Sequence, residues 1–377
     1  MSGDEAASRL TPRDTSELAE IIRTHRRPLE PSGCGSKRSI GRPIDADLLE
    51  LSAFDGILAY EPDELVLTAR AATPLSTITA ALGERSQRLA FDPPDHGPLL
   101  GVARPQTLGG VLATNLAGSR RVTAGAARDH FLGFEAVSGR GERFKAGGKV
   151  VKNVTGYDLP KLVAGSWGTL AVLTEVTIRV APAPETEKTL IVEIEAPERG
   201  VELMTQALGS ACDVSAAAFD PRAGVALRLE GFVASVDSRL QALRALLGTG
   251  ATAALEGPES RAFWARHGGA HALADWPVVW RISVPPSHAP RVLAALGAAR
   301  YLLDWGGGLI WAAYGRLDAA RVRGAVREGH ATLIKAPESA RRGTCSFSPP
   351  PASLAAVQAR IKLAFDPDNR LNPGRLD

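Results

Sequence analysis

Three stretches of this chain combine glycines with hydroxyl residues and leave backbone N–H groups uncovered. Gly33, Gly35 and Ser36 lie in PSGCGS, just after a predicted strand. Gly109, Gly110, Thr114, Asn115 and Gly118 lie in TLGGVLATNLAGSR, and Gly165 to Gly168 form a GSWG turn. Converging N–H groups bind phosphate oxygens when no Cβ stands in the way, so the chemistry on offer is a backbone cradle for a phosphorylated ligand. An ordinary β-turn would use the first set equally well, and a tight helix–loop packing site the second. There is no P-loop lysine and no GxGxxG.

Groups able to move protons or hold carboxylates are few. His330 lies in REGHATLIKAP, and Arg281 follows Trp280 in a predicted strand. Arg281 suits a substrate carboxylate, or equally a surface or salt-bridged position. His267 and His271 are four apart, but Gly268 and Gly269 between them weaken a helix and no third ligand is near, so no metal site is expected. Cys34 has no visible base partner and reads as a small packed residue. His96 and His130 fall near the glycine loops.

The elements that must position these groups follow from pattern. A helix is predicted over DTSELAEIIRTHR, with Asp14 and Glu17 as a capping box. Thr73-Pro74 opens another, with Thr73 as cap. FLGFEAVSG and ERFKAG read as a hairpin, and LAVLTEVTIRV as a β-branched strand. The Pro/Glu stretch Ala181 to Lys188 marks a domain boundary. Beyond it, two similar β-α-β-β passes predict an α+β, ferredoxin-like domain. A final helix, PASLAAVQARIKLAF, aligns Leu354, Val357, Ile361 and Phe365 on one face.

Length and composition bound the rest. The 377 residues suffice for two domains, and a net charge of +3 makes no case for nucleic acid. No apolar run is long enough for a transmembrane helix, and the acidic N-terminus does not read as a secretion signal, so a cytoplasmic protein is expected. Cys34, Cys212 and Cys345 fit neither a disulfide framework nor an iron–sulfur site.

Taken in order, PSGCGS, TLGG and KNVTGYDLPKLVAGSWGTL resemble the flavin-binding domain of the vanillyl-alcohol-oxidase-type (PCMH-type) FAD proteins, and LNPGR resembles that family's closing Asn-Pro-Gly. GYDLPKLVAGSWGTL, WRISVP, LLDWGGGLIW and LNPGR together resemble the smaller FAD-type subunits of bacterial glycolate oxidase (glycolate dehydrogenase). The resemblance implies an α+β flavoprotein. A two-subdomain FAD domain would span residues 1–180, an α+β cap 181–345, and a returning C-terminal segment 346–377. It implies non-covalent FAD, because no His sits in the Gly33–Ser36 loop. Pro31, Ser32, Gly33, Cys34, Gly35, Ser36, Thr107, Gly109, Gly110, Thr114, Asn115, Gly118, Gly168, Thr169, Val172 and Asn372 would hold it.

The resemblance further implies oxidation of a small 2-hydroxy acid, glycolate, within a complex containing a larger FAD-type subunit and an iron–sulfur subunit. The rival readings are a stand-alone 2-hydroxy acid dehydrogenase and a flavin-holding structural subunit. The catalytic relatives carry Gly-Asp-Gly-Asn-x-His and Glu-His-Gly signatures. Here the corresponding stretches read DWGGGLIWAAY and REGHATLIKAP, leaving His330 as base and Arg281 as carboxylate anchor. Trp276, Trp280, Trp305 and Trp311 cluster in the second domain, as buried packing or as an apolar contact patch.

Overall fold

The first helix forms where its cap predicts. Asp14 accepts hydrogen bonds from the N–H groups of Ser16 and Glu17, and Thr15–Thr24 buries Leu18, Ala19 and Ile22. Glu17 reaches back to the Arg13 N–H. Thr73 behaves differently from its expected capping role. The helix begins at Leu75 with Pro74 before it, and the Thr73 hydroxyl instead bonds Gly56 and the Arg70 carbonyl. One donor, Gly56 N–H, and two acceptors, the Gly56 and Arg70 carbonyls, hold that hydroxyl away from the helix end.

The computed structural model describes residues 7–148, 157–248 and 253–376. The KNVTG part of the third motif, with Asn153 and Gly156, lies outside them. Arg9–Leu10, Asp47–Glu50 and Leu29–Ser32 make a small parallel sheet. A second, antiparallel sheet orders Ile57–Glu61, Val66–Arg70, Ala171–Pro182, Phe131–Ser138 and Arg143–Gly147, with Gln87–Leu89 also paired to Ala171–Pro182. The predicted hairpin is the last pair of this order. Each sheet has its own apolar cluster, around Leu18, Leu29 and Leu49 in the first and Leu67, Ile78 and Ile178 in the second.

Most of the Pro/Glu boundary is strand. Ala171–Pro182 runs into it, and Thr186–Val192 starts after three residues. From there one eight-stranded sheet is built as two βαββαβ units. The first orders its strands Ala253–Glu256, Thr186–Val192, Gly224–Gly231, Ala216–Asp220. The second continues with Arg300–Asp304, Leu309–Tyr314, Val278–Ser283, His330–Lys335. Each half thus has the 4-1-3-2 order of a ferredoxin-like unit. The halves join where Ala216–Asp220 meets Arg300–Asp304, through the pair Phe219 and Leu303.

The two faces of this sheet serve different neighbours. Trp280, Ile282, Ile310 and Leu333 pack with the covering helices. Val279, Leu302, Trp311 and Ile334 pack with Ile40 and Leu99 of the N-terminal half. Trp280 and Trp311 are fully buried, so packing, not a contact patch, explains them.

The C-terminal segment returns to the beginning of the chain. Leu29 N–H donates to the Arg370 carbonyl and Asn372 N–H to the Leu29 carbonyl. The helix Ala352–Phe365 buries no residue fully, and Leu354 and Val357 are exposed. It is held at its C-terminal end, where Lys362 Nζ donates to the Thr169 and Leu371 carbonyls and Phe365 packs on Phe144.

Candidate functional site

Between the two N-terminal sheets lies a cleft open to solvent. One wall is the loop that follows Leu29–Ser32. The other is the short helix Leu108–Thr114 and the Gly165–Thr169 turn docked on it, through Gly165 N–H to Leu112 and Trp167 N–H to Ala113. Ala71, Ala72, Ala171, Val172 and Leu173 make an apolar floor. The run of small residues from Thr107 to Gly118 predicts a loop. In the structure its first half is helical, because Thr107 caps it by accepting from Gly110 N–H.

The structure brings Pro31, Ser32, Gly33, Cys34, Gly35 and Ser36 to this cleft, together with Thr107, Gly109, Gly110, Thr114, Gly168, Val172 and Asn372. Asn115, Gly118 and Thr169 lie off its lining. Asn115 ends the helix in a left-handed conformation and accepts from Arg128 N–H. Gly118 packs where a Cβ would lie 2.8 Å from the Asp92 carbonyl. The Thr169 hydroxyl donates to the Ser166 carbonyl.

The lining has the features of a cradle. A Cβ at Gly33 would stand 2.6 Å from Thr107 Oγ1, and one at Gly109 2.7 Å from the Ala71 carbonyl oxygen. Among the described residues, two buried polar atoms of the lining, Ser166 Oγ and Asn372 Oδ1, have no partner, although Asn372 Nδ2 donates to the Trp167 carbonyl at 2.7 Å. Unpaired buried polar atoms are costly and point to a ligand that supplies the missing bonds. Backbone amides, an apolar floor for a flat ring and these orphaned groups fit FAD. Sequence reasoning missed Lys37, Ser166, Trp167 and the Glu30–Arg375 pair. Lys37 immediately follows the Gly-x-Gly-Ser run, which was the available signal.

No histidine lines the cleft among the described residues. Burial, then the charge of Asp55, pushes the Cys34 thiol up, so it is a poor nucleophile. We expect acid precipitation to release the whole flavin into the supernatant; yellow colour retained on the denatured chain would contradict this.

Neither Arg281 nor His330 lines the cleft. Both lie on the sheet face turned to the N-terminal half, because Arg281 pairs with Thr332 and Ser283 with His330. Arg281 is 8 % exposed, and its guanidinium lies 4.8 Å from the Trp305 ring centroid and 5.9 Å from that of Trp311. Among the described residues its N–H groups have no hydrogen-bond partner, and burial pushes its pKa down to about 10. An unpaired guanidinium between aromatic faces is a receptor for a planar anion. His330 starts the edge strand with its side chain open to water. The surrounding protein, then the charge of Arg281, holds its imidazole below the ordinary value.

The other histidines have structural surroundings. His96 is fully buried, edge-on to Trp311, with Nδ1 3.2 Å from the Gly269 carbonyl oxygen, and burial pushes it down to about 3. His130 bonds the Ala124 carbonyl, His267 that of Leu303 and His271 that of Asp95. No cluster able to hold a metal occurs among the described residues. Gly118 and Ser119 instead anchor the eight-stranded sheet. Trp305 Nε1 donates to the Gly118 carbonyl at 2.9 Å, and Ser119 Oγ donates to the buried Asp304 at 2.6 Å.

Comparison with known proteins supports FAD as the cofactor. A family model described as FAD binding domain (FAD_binding_4) matches residues 6–147. Glycolate oxidase subunit GlcE of Escherichia coli (strain K12) is 36% identical over 354 residues, covering 93% of this chain and 92% of that relative. Glycolate oxidase subunit GlcD of Bacillus subtilis (strain 168) is 36% identical over 187 residues, 48% of this chain and 38% of that relative. A solved alkyldihydroxyacetonephosphate synthase shares the fold, with a TM-score of 0.66 at 16% identity over 97% of this chain and 76% of that one. The chain belongs to the FAD-binding oxidoreductase family that includes glycolate oxidase subunit GlcE, and its cofactor is FAD.

Proposed function

We propose that this chain is the smaller flavin-holding subunit of a glycolate-oxidising assembly, working in the cytoplasm or at the inner face of the membrane through its partners. Residues 1–180 and the returning segment 346–377 hold FAD, and 181–345 form the cap. The observation that carries the reading is the similarity to GlcE along nearly the whole of both chains, with the flavin cleft intact. Bound FAD supplies the hydride acceptor. Were this chain to turn substrate over by itself, Arg281 would hold the carboxylate and His330, with its lowered pKa, would accept the hydroxyl proton.

Two features favour a division of labour among subunits. The three cysteines are free, and no metal-binding cluster accompanies them among the described residues, so an iron–sulfur route for the electrons would run through another polypeptide. The cap is thin in proton-transfer groups, with His330 exposed and outside the cleft lining. A larger flavin subunit would then carry most of the turnover.

The test is anaerobic addition of glycolate to the FAD-loaded chain, followed at the visible flavin absorbance. We expect no bleaching over minutes from the chain alone, and turnover once the larger flavin subunit and the iron–sulfur subunit are added. Rapid bleaching by glycolate, lost in His330→Ala, would instead make this chain a dehydrogenase in its own right. No complex on size-exclusion of the co-expressed subunits would overturn the assembly.

A further inference from the structure

The FAD cleft contains a lysine that has no counter-ion among the described residues. Four charged residues line it: Glu30, Lys37, Arg38 and Arg375. Glu30 accepts from both Arg38 and Arg375, so one carboxylate serves two guanidiniums and that cluster keeps one excess positive charge, shared within the pairing. Lys37 takes no part in that cluster. Its Nζ donates to Gln106 Oε1 at 2.5 Å, and no carboxylate lies within ion-pair distance among the described residues.

A half-buried ammonium without a carboxylate beside it is disfavoured unless something anionic compensates it. Burial pushes Lys37 down to about 8, with Asp95 too weak to offset it. A ligand filling the cleft would remove more water from Lys37, so the compensating charge must come from that ligand.

FAD offers two negative regions: the pyrophosphate, always charged, and the ring system, which gains negative charge on reduction. Placement favours the second. Ile40 N–H donates to the Lys37 carbonyl, and Ile40 packs in one apolar cluster with Trp311 and Val279 of the eight-stranded sheet. Lys37 therefore faces the end of the cleft nearest the Arg281 face. On the reading of Arg281 as the carboxylate anchor, the ring must lie at that end to take a hydride.

We propose that Lys37 is the electrostatic partner of the redox-active ring of FAD, stabilising the negative charge the ring acquires on reduction and leaving the phosphates to the backbone cradle. Charge beside the ring is one of the means by which a protein tunes a flavin.

The test compares FAD-loaded Lys37→Gln and Lys37→Arg with the unaltered chain, by midpoint potential, sulfite affinity and FAD affinity. Sulfite adds its sulfur lone pair to the ring nitrogen N5, and the displaced π pair becomes negative charge on the ring. We expect Lys37→Gln to lower the potential and weaken sulfite binding at least tenfold, with the FAD dissociation constant within about threefold. Lys37→Arg, which keeps the charge, should restore most of both. An unmoved potential and sulfite affinity in Lys37→Gln would overturn the proposal. So would loss of FAD binding, whether partial with an unmoved potential or complete, because that assigns Lys37 to the phosphates or to the fold. None of these readouts uses glycolate, so a failed glycolate reading leaves them standing. An unmoved potential overturns Lys37 even where glycolate is oxidised.

Discussion

Gly33→Val should strip the chain of flavin. A Cβ at this position would lie 2.6 Å from Thr107 Oγ1 and 3.0 Å from its methyl carbon. Thr107 has little room to yield, because it is 4 % exposed and its hydroxyl caps Leu108–Thr114 through Gly110 N–H. Either the cap is lost or the Gly33–Ser36 loop is pushed away, and each outcome alters the cleft where the two loops face each other. We expect the FAD dissociation constant to rise at least 100-fold, about 2.7 kcal/mol. Gly33→Ala should act in the same direction and less strongly, since it adds the Cβ without the branched methyls. Fluorescence titration of the apoprotein measures both, and circular dichroism shows that the chain remains folded. Retention of FAD within about threefold by the Val variant would refute the assignment of this loop to the cofactor.

Glu30→Ala should be the most destabilising single change near the site. Glu30 is 6 % exposed and bonds both Arg38 and Arg375. Arg375 is 5 % exposed, and its other contacts are the Arg38 and Ile40 carbonyls. Removing Glu30 strands a buried guanidinium, which costs about 3–5 kcal/mol when such a pair is broken from one side. The same pair fastens the tail that carries Asn372 to the cleft, so FAD retention should fall as well. Urea unfolding of the apoprotein checks the first effect, and a loss below about 1 kcal/mol would contradict it.

The pH dependence follows from the same pair. Burial alone would raise the Glu30 carboxyl, but the Arg38 hydrogen bond and the charges of Arg375 and Arg38 outweigh it. They hold the group below its ordinary value of 4.5. The unfolded chain therefore binds the proton more readily than the folded one. The contribution of Glu30 to stability is complete above 4.5 and is lost as pH falls through its folded value. Glu30→Gln should flatten that part of the acid limb of a stability–pH curve.

The fold was legible wherever short-range rules decide. Asp14 ahead of an apolar periodic run starts a helix wherever the chain goes, because the cap bonds are made within three residues. The hairpin at Phe131–Gly147 and both βαββ passes of the cap follow from alternation and length in the same way. The stretch Leu108–Thr114 was harder to read, because Gly109 and Gly110 argue against a helix. A tertiary requirement, that Gly109 lie against the Ala71 carbonyl, overrides their propensity.

Much of the flavin cradle was also readable from order and type, since PSGCGS, TLGG and GSWG need small residues for a local reason: backbone must approach a ligand. Identity alone could not separate glycines that face the cleft from Gly118, which is small so that the chain can pass Asp92 and meet Trp305. Nor could it pair Glu30 with Arg375, residues 345 positions apart, or show that Lys37 has no such partner among the described residues. Arg281 could be singled out as a cation in a strand, but its packing against Trp305 and Trp311 exists only once two strands and a turn have come together. Steric fit and backbone bonding act over a few residues and are written along the chain. Burial and charge compensation depend on which distant segments share a space, and folding alone decides that.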